Sequence, residues 1–243
     1  MQETGMLLVI VKPGLENAVE FNDWYDTDHT PSRLEIDGIQ TARRYREVAP
    51  SSAASTYLAL YDLDSVAVMS SPAYRKIREN PDARERAVIG AALETSRWVL
   101  RQVPLAKESR RTDGGICGTY LQCTYWTPAE GTVQEGTVQE GAAAEAGGWA
   151  AGEYVRRPVS VPGVLRVRRF ALTEGNGPAF VDIHDLDSEE VLFDQAYDEL
   201  QAEWADRLEL SGDAYRRQLF RLLRRFDGET PRAQARATGE VGN

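Results

Sequence analysis

The sequence predicts an α+β protein made of two tandem βαββαβ units, and three observations predict it. The first is an internal repeat. FNDWYDTDHTPSRLEIDGIQTARRYR, from Phe21 to Arg46, recurs as GWAAGEYVRRPVSVPGVLRVRRFAL, from Gly148 to Leu172. Trp24 matches Trp149, Gly38 matches Gly163, and Arg43-Arg44-Tyr45 matches Arg168-Arg169-Phe170. The second is a continuation of that repeat downstream, where YLALYDLD from Tyr57 to Asp64 recurs as FVDIHDLD from Phe180 to Asp187, and Ala73-Tyr74 as Ala196-Tyr197. The third is the alternation, in each copy, of strand-like apolar runs with segments of helical period.

Taken in order, Met6 to Lys12 is a short apolar run ended by Pro13-Gly14, which reads as a strand covered on both faces. Glu16 to Thr30 places Ala18, Phe21, Tyr25 and His29 on one helical face, and Pro31 is expected to close that helix. Gly38 opens a strand that runs through Arg46, and Tyr57 to Leu63 is the next strand. Asp64 stands where it can cap the following helix, whose body continues past Pro72. Trp98 to Val103 is the last strand of the unit, stopped by Pro104. The second unit repeats this order with Ile116 to Trp126, Val164 to Ala171, Pro178 to Leu186, Ser188 to Asp206 and Gln218 to Phe226.

The units therefore span residues 1–106 and 116–226, joined by a linker at 107–115. Thr127 to Gly147 holds GTVQEGTVQEG followed by AAAEAGG, a low-complexity insertion expected to be flexible and to shorten the first helix of the second unit. Residues 227–243 lack periodicity and are expected to form a disordered tail.

Lys+Arg number 28 against 38 Asp+Glu, a formal charge of −10, which argues against nucleic acid or an anionic membrane surface as partner. No apolar run approaches the roughly 20 residues that span a bilayer, and Met1 to Gly5 lacks the basic start of a signal peptide, so a cytoplasmic protein is expected. Cys117 and Cys123 fall on one predicted strand, about 20 Å apart if extended. They are too distant to bridge and are expected to be buried thiols.

The order βαββαβ, with W-Y-x-x-x-H-x-P from Trp24 to Pro31 followed by an Arg-Arg-Tyr strand, resembles the ferredoxin-like dimeric α+β barrel superfamily, and within it the EthD-like branch. Trp24, Tyr25, Asp26, His29, Pro31, Arg33, Gly38, Arg43 and Tyr45 carry the resemblance in the first unit, and the internal match carries it in the second. It implies two four-stranded sheets packed face to face into a barrel, with helices outside and a small-molecule cavity. Here one chain would supply both sheets, giving a pseudo-dimeric monomer that can still associate further through an exposed edge. Superfamily members include monooxygenases, isomerases, polyketide cyclases, haem enzymes and binding proteins, so fold does not name activity.

Strand alternation suggests which faces line a pocket. Leu58 and Leu60, with Val181 and Ile183, form an apolar face expected under helices, whereas Tyr57, Ala59 and Tyr61, with Phe180, Asp182 and His184, form a polar and aromatic face expected to line the cavity. On the preceding strand, Ile39, Thr41, Arg43 and Tyr45 match Val164, Arg166, Arg168 and Phe170. Arg43 and Arg168 are candidate anion anchors or, alternatively, partners of rim carboxylates. Trp24, Tyr25, Tyr45, Tyr57, Tyr61 and Trp98 are candidates for an aromatic wall or for core.

His29 ends its helix on the buried stripe, with Asp26 three residues back and in reach of its ring. A histidine oriented by a carboxylate moves protons at neutral pH, although a helix-terminal histidine can equally bond backbone. The second copy carries Tyr154 in place of His29 and Glu153 in place of Asp28. It offers instead His184, with Asp182 two residues away on the same face. No zinc spacing, Gly-rich phosphate fingerprint or G-x-S-x-G elbow exists, so neither metal nor cofactor is expected. The expected activity is cofactor-independent cyclisation, isomerisation or elimination on a small apolar or aromatic substrate, with His29 as acid/base. The alternatives are a non-catalytic binding protein and a haem-binding tandem barrel with His29 or His184 on the iron.

Overall fold

The computed structural model describes residues 4–50, 52–103, 117–128, 157–207 and 214–227. The predicted linker lies outside them, as do Trp149, Glu153, Tyr154, the predicted tail beyond Asp227 and the predicted insertion beyond Pro128.

The first half begins with β1 (Gly5–Pro13), a 3₁₀ turn (Leu15–Asn17), α1 (Ala18–Trp24), a π turn (Tyr25–His29) and α2 (Thr30–Leu34). It continues through β2 (Ile39–Glu47), β3 (Tyr57–Leu63), a 3₁₀ turn (Val66–Ser70), α3 (Pro72–Glu79), α4 (Ala83–Gly90) and β4 (Ala92–Gln102). The second half supplies β5 (Tyr120–Trp126), β6 (Val164–Glu174), β7 (Phe180–Leu186), a 3₁₀ turn (Glu189–Phe193), α5 (Gln195–Arg207) and β8 (Tyr215–Asp227). The strands close into a barrel in the order β1-β3-β2-β8-β5-β7-β6-β4, and every neighbouring pair is antiparallel. The halves meet along two equivalent seams, β2 against β8 and β4 against β6.

Equivalent residues make equivalent turns. Gly38 and Gly163 have φ of +91° and +89°, and a Cβ on either would lie 2.5 Å from a valine methyl, of Val68 and Val191 respectively. Only glycine satisfies both the backbone angle and the space. Ser65 caps one 3₁₀ turn through the Ala67 N–H and Ser188 caps the other through the Glu190 N–H. The cap is thus Ser65 rather than the expected Asp64, whose carboxylate accepts from Gln40 Nε2 at 2.6 Å instead.

Two further expectations are corrected. Pro31 does not close the first helix. The π turn ends at His29 and a new α-helical turn starts at Thr30, so Pro31 sits in a first turn, where its missing N–H is not needed. Cys117 precedes β5 and is half-buried, because that strand starts at Tyr120, whereas Cys123 is fully buried.

Three apolar layers hold the molecule together. Met6, Leu8, Leu58, Leu60, Leu121 and Ile183 belong to the barrel interior. A second cluster lies between the first sheet and its helices, and a third lies under α5.

Candidate functional site

The predicted site residues fall on both sides of the barrel wall. In each half a bulge near the start of the second strand, at Gln40 in β2 and Leu165 in β6, offsets the alternation by one residue. Such a slip exchanges the two faces for everything downstream. Ile39 therefore packs under the helices with Ala42, while Tyr45 turns into the barrel. Arg43 shares the Tyr45 face and Arg44 the opposite one. The assignment of the third-strand faces is reversed as well. Leu58 and Leu60, with Val181 and Ile183, line the barrel, whereas Tyr57, Ala59 and Tyr61 lie under the helices. Tyr57 and Tyr61 consequently share no pocket with Arg43 and Tyr45.

The helix-covered face of the first half gathers His29, Tyr25, Trp24, Thr30, Tyr61, Arg33, Arg44 and Glu85. The wider π turn brings side chains four apart nearly into line, so the Tyr25 and His29 rings lie 4.6 Å apart, with Trp24 4.5 Å from His29 on another side. The His29 side chain is only 14% exposed. Its Nδ1 has no hydrogen-bond partner and lies 3.7 Å from Glu85 Oε1. Burial, reinforced by the Arg33 and Arg44 charges, holds its pKa well below the ordinary 6.5, so the ring is neutral at physiological pH.

Asp26 does not orient that ring. Its carboxylate accepts from Arg44 Nη1, and from Arg224 Nη1 at 3.4 Å. Arg44 also donates to Asn22 Oδ1 at 2.9 Å and stacks 4.5 Å from the Tyr25 ring centroid. The acid that faces His29 is Glu85 on α4, itself held by Arg33 Nη2 at 2.7 Å. Tyr61 Oη is buried against the hydroxyls of Thr30 and Tyr25, and burial pushes the Tyr61 phenol up to about 12 against their pull. Arg33, Arg44, Thr30 and Glu85 had no place in the expected site. Arg33 and Arg44 stood inside the quoted motif, but nothing in the sequence joins Glu85 to His29.

In the second half, Asp182 accepts from Arg169 at 2.7 and 3.0 Å and from Trp126 Nε1 at 3.0 Å. His184 Nδ1 lies 2.8 Å from the Tyr197 hydroxyl, and burial takes its pKa down to about 4 against the opposing pull of Asp182. Both side chains are fully buried. Asp182 and His184 share a sheet face, as expected, but their hydrogen bonds run to different partners.

Arg43 and Arg168 lie inside the barrel and are paired. Arg43 Nη2 donates to Asp62 at 2.7 Å; Arg168 donates to Asp62 at 3.2 Å and to Asp185 at 3.3 Å; Arg43 Nη1 stands 3.8 Å from Asp185. The cluster is symmetric, since Arg43 matches Arg168 and Asp62 matches Asp185. Burial raises the Asp62 pKa, but the two arginines outweigh it and hold the carboxyl at about 2. Tyr45 Oη meets Cys117 Sγ at 3.5 Å nearby, and Trp98 stands against Tyr125 with ring centroids 5.6 Å apart. Of the candidate substrate binders, Trp24, Tyr25, Tyr57 and Tyr61 thus lie on the helix side and Arg43, Tyr45, Trp98 and Arg168 on the barrel side. Among the described residues no cluster of His, Cys, Asp and Glu is arranged to hold a metal ion, and no helix is long and apolar enough to cross a membrane.

No protein-family model matches the sequence, nor does any curated protein. Solved structures do match. An anthrone oxidase-like protein is 13% identical with a TM-score of 0.62, over 97% of this chain and 97% of its own. A candidate monooxygenase from Fusobacterium nucleatum subsp. nucleatum is 9% identical with a TM-score of 0.59, over 93% and 95%. A candidate chlorite dismutase is 11% identical with a TM-score of 0.55, over 92% and 96%. At such identities the likeness speaks for the fold alone, and with the closed eight-strand order it gives the conclusion that this chain adopts the dimeric α+β barrel fold within a single polypeptide.

Proposed function

We propose that the helix-covered face of the first half is the site of a cofactor-independent enzyme, with His29 as general base toward a small apolar or aromatic substrate. The observation that supports this most is the buried, neutral His29 imidazole, whose Nδ1 has no hydrogen-bond partner, beside the interacting buried hydroxyls of Thr30, Tyr61 and Tyr25. Buried polar groups are normally satisfied, and each one left open costs about 1–3 kcal/mol. A substrate oxygen or an acidic C–H would meet these atoms directly. Cyclisation, isomerisation and elimination can each begin with removal of a proton, and an imidazole must be neutral to accept one. The π turn that carries Tyr25 and His29 is a device often found at functional sites.

The void beside Tyr25, Arg44 and Tyr57 has no room for a water-sized molecule, whereas ligand pockets begin at roughly 300 Å³. Entry therefore requires α1 or the π turn to move. A haem does not fit at His29, whose ring is enclosed by Trp24 and Tyr25 beside so small a void. The matching seams and matching glycine turns support descent by tandem duplication, and the W-Y-x-x-x-H-x-P motif supports the EthD-like branch.

The test is a panel of small aromatic C–H acids assayed with the wild type and His29→Ala. Turnover should fall by about 10²-fold or more in the variant, the usual contribution of a positioned base. Equal turnover by the variant removes His29 from the chemistry. Tight binding without any conversion by the wild type would turn the reading into a binding protein.

A further inference from the structure

We infer a second small-molecule site at one mouth of the barrel, separate from the His29 face and shaped for a planar aromatic ligand that carries a carboxylate. The cluster of Arg43, Asp62, Arg168 and Asp185 fills one end of the barrel interior. On β5, Leu121 lies opposite Asp185 at that end, and Tyr125 lies opposite Val181 at the other. There a cleft of about 540 Å³ opens between Trp98, Tyr125, Tyr215, Arg216 and the Gly177-Pro178 corner. That volume is in the range of small-molecule pockets.

The walls are aromatic and held in place. Trp98 Nε1 donates to the Asn176 carbonyl at 3.0 Å, and a Cβ on Gly177 would sit 2.4 Å from that nitrogen, so glycine lets the β6–β7 turn close onto the indole. Tyr125 meets Trp98 edge-on at 71°. It is only 4% exposed, and its buried hydroxyl meets the Cys123 thiol.

The polar complement comes from Arg216, directly across from Tyr125 in the β5–β8 ladder, with its guanidinium 4.9 Å from the Tyr125 ring centroid. Arg216 is exposed, and among the described residues no carboxylate pairs with it. Glu47, whose charge reaches Tyr125, is occupied by Gln218 Nε2 at 2.9 Å. A guanidinium placed over a ring face can still present N–H groups for two parallel bonds to a carboxylate. Trp98 and Tyr215 offer faces for an aromatic ring.

Calorimetric titration of the purified full chain with 1-naphthoate and with uncharged 1-naphthamide tests the assignment. The wild type should bind 1-naphthoate saturably and more tightly than the amide. Arg216→Gln, a change of an exposed side chain, should weaken 1-naphthoate by about tenfold or more, as expected for losing a charged hydrogen-bonded pair, and leave 1-naphthamide unchanged. His29→Ala should leave 1-naphthoate binding unaltered. No saturable binding at millimolar 1-naphthoate, equal affinity in Arg216→Gln, or loss of binding in His29→Ala each overturns the site.

Discussion

At the scale of single residues, environment decides chemistry more than identity does. The chain has two histidines, and burial lowers both pKa values, yet His29 has an open Nδ1 while His184 bonds Tyr197. The sequence shows His29 on the buried stripe. It cannot show that Arg44 captures Asp26, because that choice depends on which strand face Arg44 occupies, nor that Glu85 arrives from a helix some fifty positions later. Tyr61→Phe separates function from structure at this site. Removing a buried hydroxyl that meets those of Thr30 and Tyr25 should lower stability by about 1 kcal/mol in denaturant melts, while turnover should drop by more than that loss explains if the hydroxyl meets substrate. A gain of stability instead would show the hydroxyl to be unsatisfied. Protonation gives a second expectation. Between pH 6.5 and the His184 value of about 4, the unfolded chain binds a proton that the folded chain refuses, so stability falls as pH drops through this window. His29 acts with the same sign below 6.5. Asp62 adds its own loss at lower pH, between the ordinary 3.8 and about 2, where the unfolded carboxyl is protonated and the folded one is still paired. His184→Gln should flatten the Tm profile between pH 6.5 and 4 and leave the lower window intact; an unchanged upper slope would assign it elsewhere.

At the scale of elements, most strands were legible because apolar alternation and glycine punctuation act locally. Tyr57–Leu63 matches its expected bounds, and Gly38 does open β2. The faces were less legible. A bulge is one residue that the partner strand does not match, a property of a pair of strands, so a single strand read alone gives no sign of Gln40 or Leu165 stepping out of register. The same non-local blindness hid the π turn, since the spacing of Tyr25 and His29 suits an α-helix as well. One turn is testable by itself. Gly38 combines φ of +91° with contact of its would-be Cβ on Val68, so Gly38→Ala should destabilise the fold by about 1–3 kcal/mol, read from the urea midpoint. Activity per folded molecule should persist, because Gly38 lies outside the His29 cluster. A neutral substitution would mean that the β2 entry relaxes freely.

At the scale of the whole molecule, closure is the organising fact. A barrel whose eight strands all find neighbours leaves no open ladder, and the two seams that close this one join β2 to β8 and β4 to β6. Each seam takes one strand from each half, so neither half can satisfy its own edges. The internal repeat made this arrangement readable in the sequence, since two copies of one sheet can replace the two subunits of a dimer. The buried cluster of Arg43, Asp62, Arg168 and Asp185 could not be read there, because its charges balance only across the halves. Residues 1–106, expressed alone, should therefore expose the β2 and β4 edges, together with an Arg43–Asp62 pair deprived of Arg168 and Asp185. A second copy of the same fragment offers matching edges and an equivalent Arg and Asp, so the fragment should self-associate into a two-chain barrel rather than remain monomeric. Sedimentation should then give twice the fragment mass, with a melting temperature that rises with concentration, as obligate dimers show. The intact chain should sediment at the mass of one copy and melt independently of concentration. A fragment that stays monomeric and cooperatively folded would show that the seams contribute little, and stability would then reside in the helix-to-sheet core of each half.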